Sequence, residues 1–231
     1  TGVTPCGNYA IDYGVLKIGG LPDGRAIEIF GRESSGKSTL AKYFIREAQK
    51  RGRVCVYFDT EFADQGMTGQ EWAKRCGVNI DDLIYVELEW MEEILVKMEN
   101  AIDAGAGMIV VDSIPHMIVK ATADKAPGTG FLAARTAGVL GQEMPKIIAK
   151  ASRANATVVF INQLRDIPGV VYGDNFTTPG GRQIKHAYSV RLMVDRKAKL
   201  VENKVQVGVM CRVKSYKNKT AQPGLSADIP I

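Results

Sequence analysis

The fold is decided by one stretch of sequence, Gly31-Arg32-Glu33-Ser34-Ser35-Gly36-Lys37-Ser38, which fits the pattern GxxxxGK[ST]. An apolar run, residues 26–30, comes before it, and an amphipathic run, residues 38–50, comes after it. The glycines allow backbone N–H groups to curl around a phosphate, and the start of the following helix adds a partial positive charge. A chance glycine turn would not require this context, so the stretch predicts a phosphate-binding loop between a strand and a helix.

Three side chains predict that the phosphate belongs to a nucleotide with its metal. Lys37 would reach the β- and γ-phosphates, and the Ser38 hydroxyl would bind Mg²⁺. A second apolar run, residues 108–111, ends in Asp112, and a carboxylate buried there needs a metal, a water or a cation nearby. Asp112 therefore suits Mg²⁺ held through water, with a plain capping aspartate as the alternative. The predicted cofactors are ATP and Mg²⁺.

Hydrolysis also requires a group that polarises water. The apolar run of residues 54–58 leads into Asp59-Thr60-Glu61, and Glu61 is the candidate for orienting or deprotonating the attacking water. A solvated loop carboxylate is the alternative. Gln163 follows another apolar run, residues 157–161, where its amide could sense the γ-phosphate, although spacing alone leaves that role open.

Short apolar runs alternate with longer amphipathic ones over the first two thirds of the chain. The alternation predicts right-handed βαβ units, and therefore an α/β fold with a mostly parallel central sheet flanked by helices. The predicted strands are residues 26–30, 54–58, 83–86, 108–111 and 157–161. The predicted helices are residues 38–50, 90–104 and 131–153. We expect Glu93 and Lys97 to form an i,i+4 pair in the second helix, and Pro145 to bend the third.

The last third of the chain has a different pattern. Residues 187–195 and 204–216 alternate apolar and polar side chains, as half-solvated antiparallel strands do, with residues 197–203 as the turn between them. Two connections, residues 113–130 and 163–183, are unusually long for a compact domain, and connections of this length are usually functional or disordered. Both follow the carboxyl ends of strands, where open α/β sheets bind their ligands.

Composition limits the class of protein. The chain has 231 residues, 45% hydrophobic and 24% charged, which is typical of one globular domain rather than a disordered chain. No apolar run reaches the roughly 18 residues of a membrane helix, so we expect a cytoplasmic protein without membrane contact. The cysteines, Cys6, Cys55, Cys76 and Cys211, lack paired spacing, which favours reduced thiols and no zinc. The net charge of +5 is compatible with a polyanionic partner.

Four segments make the sequence recognisable by their order and spacing: residues 31–40, Val110-Val111-Asp112-Ser113, Phe160-Ile161-Asn162-Gln163-Leu164-Arg165 and Lys217-Asn218-Lys219. Together they resemble the bacterial RecA family, and the resemblance extends over almost the whole chain. General P-loop ATPases share the first two segments but not the last two. The resemblance implies a P-loop NTPase of RecA type, with residues 1–231 as a single core domain. The family's N-terminal polymerisation segment would precede Thr1, and its C-terminal domain would follow Ile231.

The resemblance also implies roles at the nucleotide. Glu61 matches the family's catalytic glutamate, and Gln163 matches the glutamine that couples the γ-phosphate to the second DNA loop. Lys217 and Lys219 match a lysine pair that reaches the ATP of the neighbouring protomer, as an arginine finger does, with a solvated turn as the alternative. Trp72 takes the position of an aromatic that stacks on adenine, with helix packing as the alternative. The predicted nucleotide-binding set is Gly31, Arg32, Glu33, Ser34, Ser35, Gly36, Lys37, Ser38, Thr39, Trp72 and Asp112.

The two long connections match the family's DNA-binding loops. Paired glycines let backbone N–H groups approach phosphates closely, and arginines add charge. The resemblance implies that single-stranded DNA lies against Arg135, Arg165, Gly180, Gly181 and Arg182. It implies that an incoming duplex lies against Arg212 and Lys214, on one face of a strand. The alternative is that these basic side chains are merely solvated.

Several positions depart from the family pattern in the segments that the resemblance assigns to DNA contact and to signalling between protomers. The second connection reads Arg165-Asp166-Ile167-Pro168-Gly169, with an acid and a proline where a basic and an apolar residue are common. Gln142 and Asp195 replace basic residues. His186 stands where the family has a phenylalanine that relays the ATP state. About four extra residues separate Glu61 from Trp72.

The function that the resemblance implies is a DNA-dependent ATPase that forms helical filaments on single-stranded DNA and promotes pairing and strand exchange with a homologous duplex. The family also suggests a self-cleaving repressor as a partner. A RecA-fold helicase or branch-migration ATPase is one alternative, and it predicts hexameric rings. A nucleotide-dependent scaffold without hydrolysis is another, and the combination of Lys37, Ser38, Glu61, Asp112 and Gln163 argues against it.

Overall fold

The computed structural model describes residues 2–62, 67–120, 129–167, 169 and 175–231, and of residues 67–68 and 129–133 the backbone alone. Its centre is an eight-stranded sheet. The strands of the chain are β1 (Val3–Thr4), β2 (Leu21–Pro22), β3 (Ala26–Gly31), β4 (Cys55–Asp59), β5 (Leu83–Glu87), β6 (Met108–Asp112), β7 (Thr157–Gln163), β8 (Arg165–Asp166), β9 (Phe176–Thr177), β10 (Val190–Glu202), β11 (Val205–Asn218) and β12 (Ser226–Pro230). The helices are α1 (Lys37–Lys50), α2 (Met67–Arg75), α3 (Met91–Asp103), α4 (Thr129–Arg153) and α5 (Gly181–Ala187). A π-helix (Ala10–Val15) and a 3₁₀ turn (Ile114–His116) complete them.

The strand order of the central sheet is β12-β11-β10-β3-β7-β6-β4-β5. The strands from β10 to β5 pair in parallel, and β11 and β12 add an antiparallel extension. The predicted α/β class and mostly parallel sheet are therefore confirmed. The order also brings the carboxyl ends of β3, β7, β6 and β4 together at one edge, where the site lies.

The inner strands are apolar on both sides because helices cover both faces of the sheet. Side chains alternate along each strand, so Ile109 and Val111 of β6 join one core with α3 and α4, and Val110 joins the opposite core with α1. The five predicted buried strands agree with β3 to β7 within one or two residues at each end. The prediction of burial is wrong for β5, which is the edge strand of the sheet and exposes Ile84 and Tyr85.

The predicted helices are present as α1, α3 and α4, and Pro145 lies inside α4. On α3 the buried residues are Met91, Ile94, Leu95, Met98 and Ile102. The predicted pairing of Glu93 with Lys97 is wrong. Glu93 instead accepts a hydrogen bond from Lys120 at 2.5 Å, across the connection that follows β6.

The predicted turn at residues 197–203 is also wrong. Strand β10 continues to Glu202, and the hairpin turns at Asn203 and Lys204, both with positive φ (48° and 66°). A two-residue turn of this kind matches the twist of the flanking strands, and it usually contains glycine. The first half of β10 pairs antiparallel with β11, as predicted, but it is not half-solvated, because Val190 to Met193 also pair in parallel with β3 and the first three of them are buried.

The two long connections contain local structure next to their strands. The first begins with the 3₁₀ turn after β6, and Ile118 then bridges to Trp90. The second begins and ends as the short antiparallel ribbon of β8 and β9, followed by α5. Residues 121–128 of the first connection, residues 168 and 170–174 of the second, and most of the predicted insertion before Trp72 lie outside the described residues.

All four cysteines are free and buried. Burial raises the pKa of the Cys55 thiol to about 12. It also raises the pKa of Cys6 and Cys211 above the ordinary value. In the part of the chain that the structure describes, every helix is too short or too polar to cross a membrane.

Candidate functional site

The glycine-rich loop leaves β3 and enters α1 through two residues in the left-handed region, Ser34 (φ 53°) and Gly36 (φ 92°). Gly31 has no room for a side chain, because an added Cβ would lie 2.1 Å from the carbonyl oxygen of Val194. Helix α1 begins after Gly36 without a side-chain cap, so the amides of its first turn are not used by a side chain. This is the arrangement that binds a phosphate.

Lys37 folds back over this loop. Its Nζ donates a hydrogen bond to the carbonyl oxygen of Arg32 at 2.7 Å, and the residue is 9% exposed. Burial lowers the pKa of Lys37 below that of a free lysine. The carboxylates of Asp112 and Glu61 act in the opposite direction and favour the charged form.

Asp112 ends β6 beside the start of α1. Burial raises its pKa above the ordinary value, and hydrogen bonds with the Ser38 and Tyr57 side chains oppose the rise. The Tyr57 hydroxyl donates to Asp112 Oδ2 at 2.6 Å. A hydroxyl and a carboxylate are ligands that suit Mg²⁺, so Ser38 and Asp112 fit the metal of a bound nucleotide.

We expect Tyr57→Phe to weaken the metal dependence of nucleotide binding. The change removes the hydroxyl that orients Asp112, and loss of such a partner costs roughly 10–100-fold in metal affinity. The measurement is the Mg²⁺ concentration that half-saturates binding of a fluorescent ATP analogue, and we expect it to rise about tenfold. Tyr85→Phe is the matched control, because the Tyr85 ring stacks on Tyr57 but its hydroxyl donates to Asp59. An equal Mg²⁺ requirement in both variants and in the wild type would contradict the role of Tyr57.

Glu61 lies two residues beyond the end of β4, next to the carboxyl end of β6. Its backbone N–H donates to Asp59 Oδ1 at 2.9 Å, and Asp59 is the register partner of Asp112. Its Oε1 accepts a hydrogen bond from the Ser113 hydroxyl at 2.5 Å. These contacts place the carboxylate at the same edge of the sheet. Its charge acts to raise the pKa of Lys37 and that of Asp112.

Gln163 ends β7 directly beside the loop. Gly31 is its register partner, and the N–H of Leu164 donates to the Gly31 carbonyl at 3.1 Å. The preceding Asn162 donates to Glu28 Oε1 at 2.8 Å and to the Pro179 carbonyl at 3.0 Å. The strand end that carries Gln163 is therefore joined both to the loop and to the far end of the second connection.

The structure thus brings the loop, Lys37, Asp112, Glu61 and Gln163 to one edge of the sheet. The loop fits a phosphate in a further respect, because Ser35 Oγ is buried with no partner among the described atoms. Trp72 of α2 lies close by, and its Nε1 donates to Thr39 Oγ1 at 3.2 Å. The indole is 43% exposed, so it remains available to pack on a ligand at the start of α1.

Lys217 and Lys219 lie elsewhere. Their ammonium groups both donate to the His186 carbonyl at 3.1 Å, at the end of α5. In the register of the sheet, Lys217 of β11 is the partner of Arg191 of β10, and Arg191 is in turn the partner of Glu28 of β3. Glu28 precedes Gly31 by three residues, or about 10 Å of strand. The lysines therefore sit away from the loop of their own chain, as a contribution to a neighbouring chain would require.

A cavity of about 590 Å³ lies between the two long connections. Arg165, Gly180 and Gly181 line it, and among its described lining residues Arg165 is the charged one. Gly180 (φ 104°) and Gly181 (φ 83°) lead into α5. Arg135 is on α4, whose neighbouring residues Ala134 and Thr136 also line the cavity, and Arg182 is exposed on α5.

Arg212 and Lys214 project from exposed positions of β11. Arg212 forms two hydrogen bonds with the carboxylate of Asp228 on β12, at 2.6 and 2.8 Å. Asp166, one of the departures from the family pattern, is likewise paired: Arg32 of the glycine-rich loop donates to both of its oxygens, at 2.9 and 3.2 Å.

Four residues that form hydrogen bonds at this edge were not singled out from the sequence: Tyr57 with Asp112, Thr60 with Ser113, and Ser113 and His116 with Glu61. Each of these contacts joins two strand ends, which periodicity does not reveal. A signal existed for His116, one of two histidines in the chain, because it lies four residues after Asp112. Ser113 and Thr60 were present in the motifs that contain Asp112 and Glu61.

The sheet order, the loop and the strand-end carboxylates together define a P-loop NTPase fold of RecA type. The family model described as RecA N-terminal domain matches residues 1–231. The chain belongs to this family.

Curated relatives named Protein RecA are similar over nearly the whole chain. The identity is 40% over 228 residues in Chloroflexus aurantiacus, covering 98% of this chain and 63% of the relative. It is 39% over 230 residues in Symbiobacterium thermophilum (99% and 64%) and 38% over 226 residues in Rickettsia canadensis (97% and 64%). The chain therefore spans just under two thirds of the length of these relatives.

Proposed function

We propose that this chain is the motor core of a DNA-dependent ATPase that forms filaments on single-stranded DNA and promotes homologous pairing and strand exchange in recombination and repair. Its cofactors would be ATP and Mg²⁺, and its partners single-stranded DNA, a homologous duplex and further copies of the same chain. Family membership supports this function. A self-cleaving repressor as partner and a cytoplasmic location remain predictions from the resemblance.

The proposal depends mainly on one observation: the glycine-rich loop and the second connection are in direct contact. Gly31 and Gln163 are register partners, and Leu164 donates to the Gly31 carbonyl. Arg32 of the loop pairs with Asp166 of the connection. A ligand on the loop and a ligand on the connection would therefore act on the same few residues.

Such a join supplies the coupling that a DNA-dependent ATPase needs. If the nucleotide and DNA both favour one arrangement of the strand end at Gln163, binding of either strengthens binding of the other, because linkage is reciprocal. Asn162 extends this coupling, since its contact with Pro179 ties the strand end to the segment that precedes Gly180 and Gly181.

The location of Lys217 and Lys219 supports assembly. Cationic groups that stabilise charge in the transition state must lie near the phosphates, and these two lie away from the loop of their own chain. In a filament, a neighbouring copy would present them across the interface, so hydrolysis would depend on assembly.

The test is ATP hydrolysis by the full-length protein with and without single-stranded DNA, followed by electron microscopy. We expect DNA to raise the rate about tenfold or more, equal to about 1.4 kcal/mol of barrier. We also expect filaments rather than rings. Lys37→Ala is the control for contaminating ATPase. An equal rate of hydrolysis with and without DNA would contradict the proposal. Hexameric rings would indicate a helicase, and absence of turnover would indicate a scaffold.

A further inference from the structure

Two polar side chains meet at one oxygen of Glu61. The Ser113 hydroxyl donates to Oε1 at 2.5 Å, and His116 Nδ1 lies 3.0 Å from the same oxygen. His116 Nδ1 is also 3.0 Å from Ser113 Oγ. Within the described part of the chain, Oε2 of the same carboxylate takes no hydrogen bond from a side chain, so the contacts are on one oxygen alone.

The backbone holds this cluster in place. The N–H of Ser113 donates to Thr60 Oγ1, and the Thr60 hydroxyl donates to the Ser113 carbonyl, both at 2.7 Å. The N–H of Thr60 donates to the Asp112 carbonyl at 2.8 Å. These bonds join the ends of β4 and β6, so Glu61 must lie beside Ser113. The 3₁₀ turn that follows then brings His116 back, with its N–H 3.2 Å from the Ser113 carbonyl.

The positions of the protons follow from the number of donors. A serine hydroxyl has one hydrogen, and at 2.5 Å it is committed to the Glu61 carboxylate. The short contacts of His116 Nδ1 with Ser113 Oγ and with Glu61 Oε1 then require a hydrogen on Nδ1, because two facing lone pairs would repel. Neutral histidine meets this requirement as the Nδ1–H tautomer. Ser113 and His116 therefore both donate hydrogen bonds to Oε1 of Glu61.

We propose that His116 is a positioning residue for Glu61: together with Ser113 it fixes the plane of the carboxylate so that Oε2 is presented to the attacking water. This inference rests on the proposed ATP hydrolysis and assigns a role to a residue outside the four segments on which the resemblance was stated. The side chains of His116 and Glu61 are 42% and 31% exposed. A pair so exposed adds little to stability, so its effect should appear in catalysis.

The rate of a reaction that uses a general base depends strongly on the orientation of that base. A misplacement of about 1 Å can cost on the order of 10²-fold in rate. A partner that orients a metal ligand commonly contributes about 10–100-fold, and we expect the lower end of that range for a partner that orients a general base. Ser113 would remain after loss of His116, so the loss should be partial. Nucleotide binding should not change, because among the described residues the His116 side chain bonds with Ser113 and Glu61, which are outside the glycine-rich loop.

The kinetic test compares His116→Ala, His116→Asn and the control Lys150→Ala. Asparagine can place an N–H donor near the position of Nδ1, whereas alanine cannot. Lys150 pairs with Asp103 on the surface, away from the loop. We expect His116→Ala to lower the single-turnover rate of ATP hydrolysis about tenfold, with an unchanged Kd for a fluorescent ATP analogue and an unchanged melting temperature. His116→Asn should recover most of the rate, and Lys150→Ala should match the wild type.

A second measurement does not depend on activity. In ¹⁵N-labelled, nucleotide-free protein above pH 8, the imidazole shifts of His116 should show the Nδ1–H tautomer, and Glu61→Ala should abolish this preference. A wild-type rate in His116→Ala would overturn the inference, as would an Nε2–H tautomer or an equal loss in His116→Asn. The proposed function has its own test in Glu61→Gln. If that variant loses turnover while His116→Ala does not, only the role of His116 fails.

Discussion

Lys37→Ala should abolish nucleotide binding at the concentrations at which the wild type is saturated. Lys37 is a buried cation at the end of the glycine-rich loop, and its Nζ donates a hydrogen bond to the Arg32 carbonyl at 2.7 Å. A hydrogen bond to a charged group contributes about 1.5–3 kcal/mol. The ammonium group of Lys37 would form more than one such bond with the phosphates. We therefore expect affinity to fall by about 100-fold or more, measured by titration with a fluorescent ATP analogue or by calorimetry.

The loss should not come from unfolding. Burial lowers the pKa of Lys37, which means that the charged form is less stable in the folded chain than in water. Removal of that charge should leave the melting temperature unchanged or raise it. Lys50→Ala is the matched control, because it removes an exposed lysine from the last turn of the same helix. Unchanged ATP affinity in Lys37→Ala would show that the loop does not hold the phosphates.

Glu61→Gln should keep nucleotide binding and lose turnover. Glutamine has the shape of glutamate and can still contact Ser113, but its amide cannot accept a proton from water. A positioned general base contributes about 10²–10⁴-fold to a rate, so we expect a decrease in kcat of that order with the Kd for ATP retained.

The control for this substitution is Glu87→Gln, at the end of β5 next to β4. It makes the same chemical change at a neighbouring strand end, and we expect normal turnover. Steady-state hydrolysis and a binding titration on each variant separate the two effects. Normal turnover in Glu61→Gln would remove Glu61 from its role, whereas loss of ATP binding would make its role structural.

The parts of the fold that the sequence predicted well are those set by local pattern. The glycine-rich stretch and the apolar runs before Asp112 and Gln163 predict a strand, a turn and a buried core, and they need no knowledge of distant contacts. The charged residues Lys197 and Lys199 misled the prediction, because they are typical of a loop although they are exposed residues of β10. The turn at Asn203 and Lys204 lacks the glycine that usually marks it.

The edge of the sheet, rather than any one motif, forms the site. Tyr57 reaches Asp112 from the neighbouring strand, and Ser113 and His116 reach Glu61 across a strand end. These contacts depend on strand order, because β4 lies next to β6 although α2, β5 and α3 separate them along the chain. A sequence pattern records the residues but not which of them become neighbours.

The four buried thiols have a practical consequence for measurements on assembly. The thiolate is the reactive form of cysteine, and thiols buried in this way would react slowly with maleimide dyes. Val205 lies at the start of β11 and is 63% exposed. A single Val205→Cys substitution should therefore accept a fluorophore selectively, so that energy transfer between labelled copies could follow their association without removal of any native cysteine.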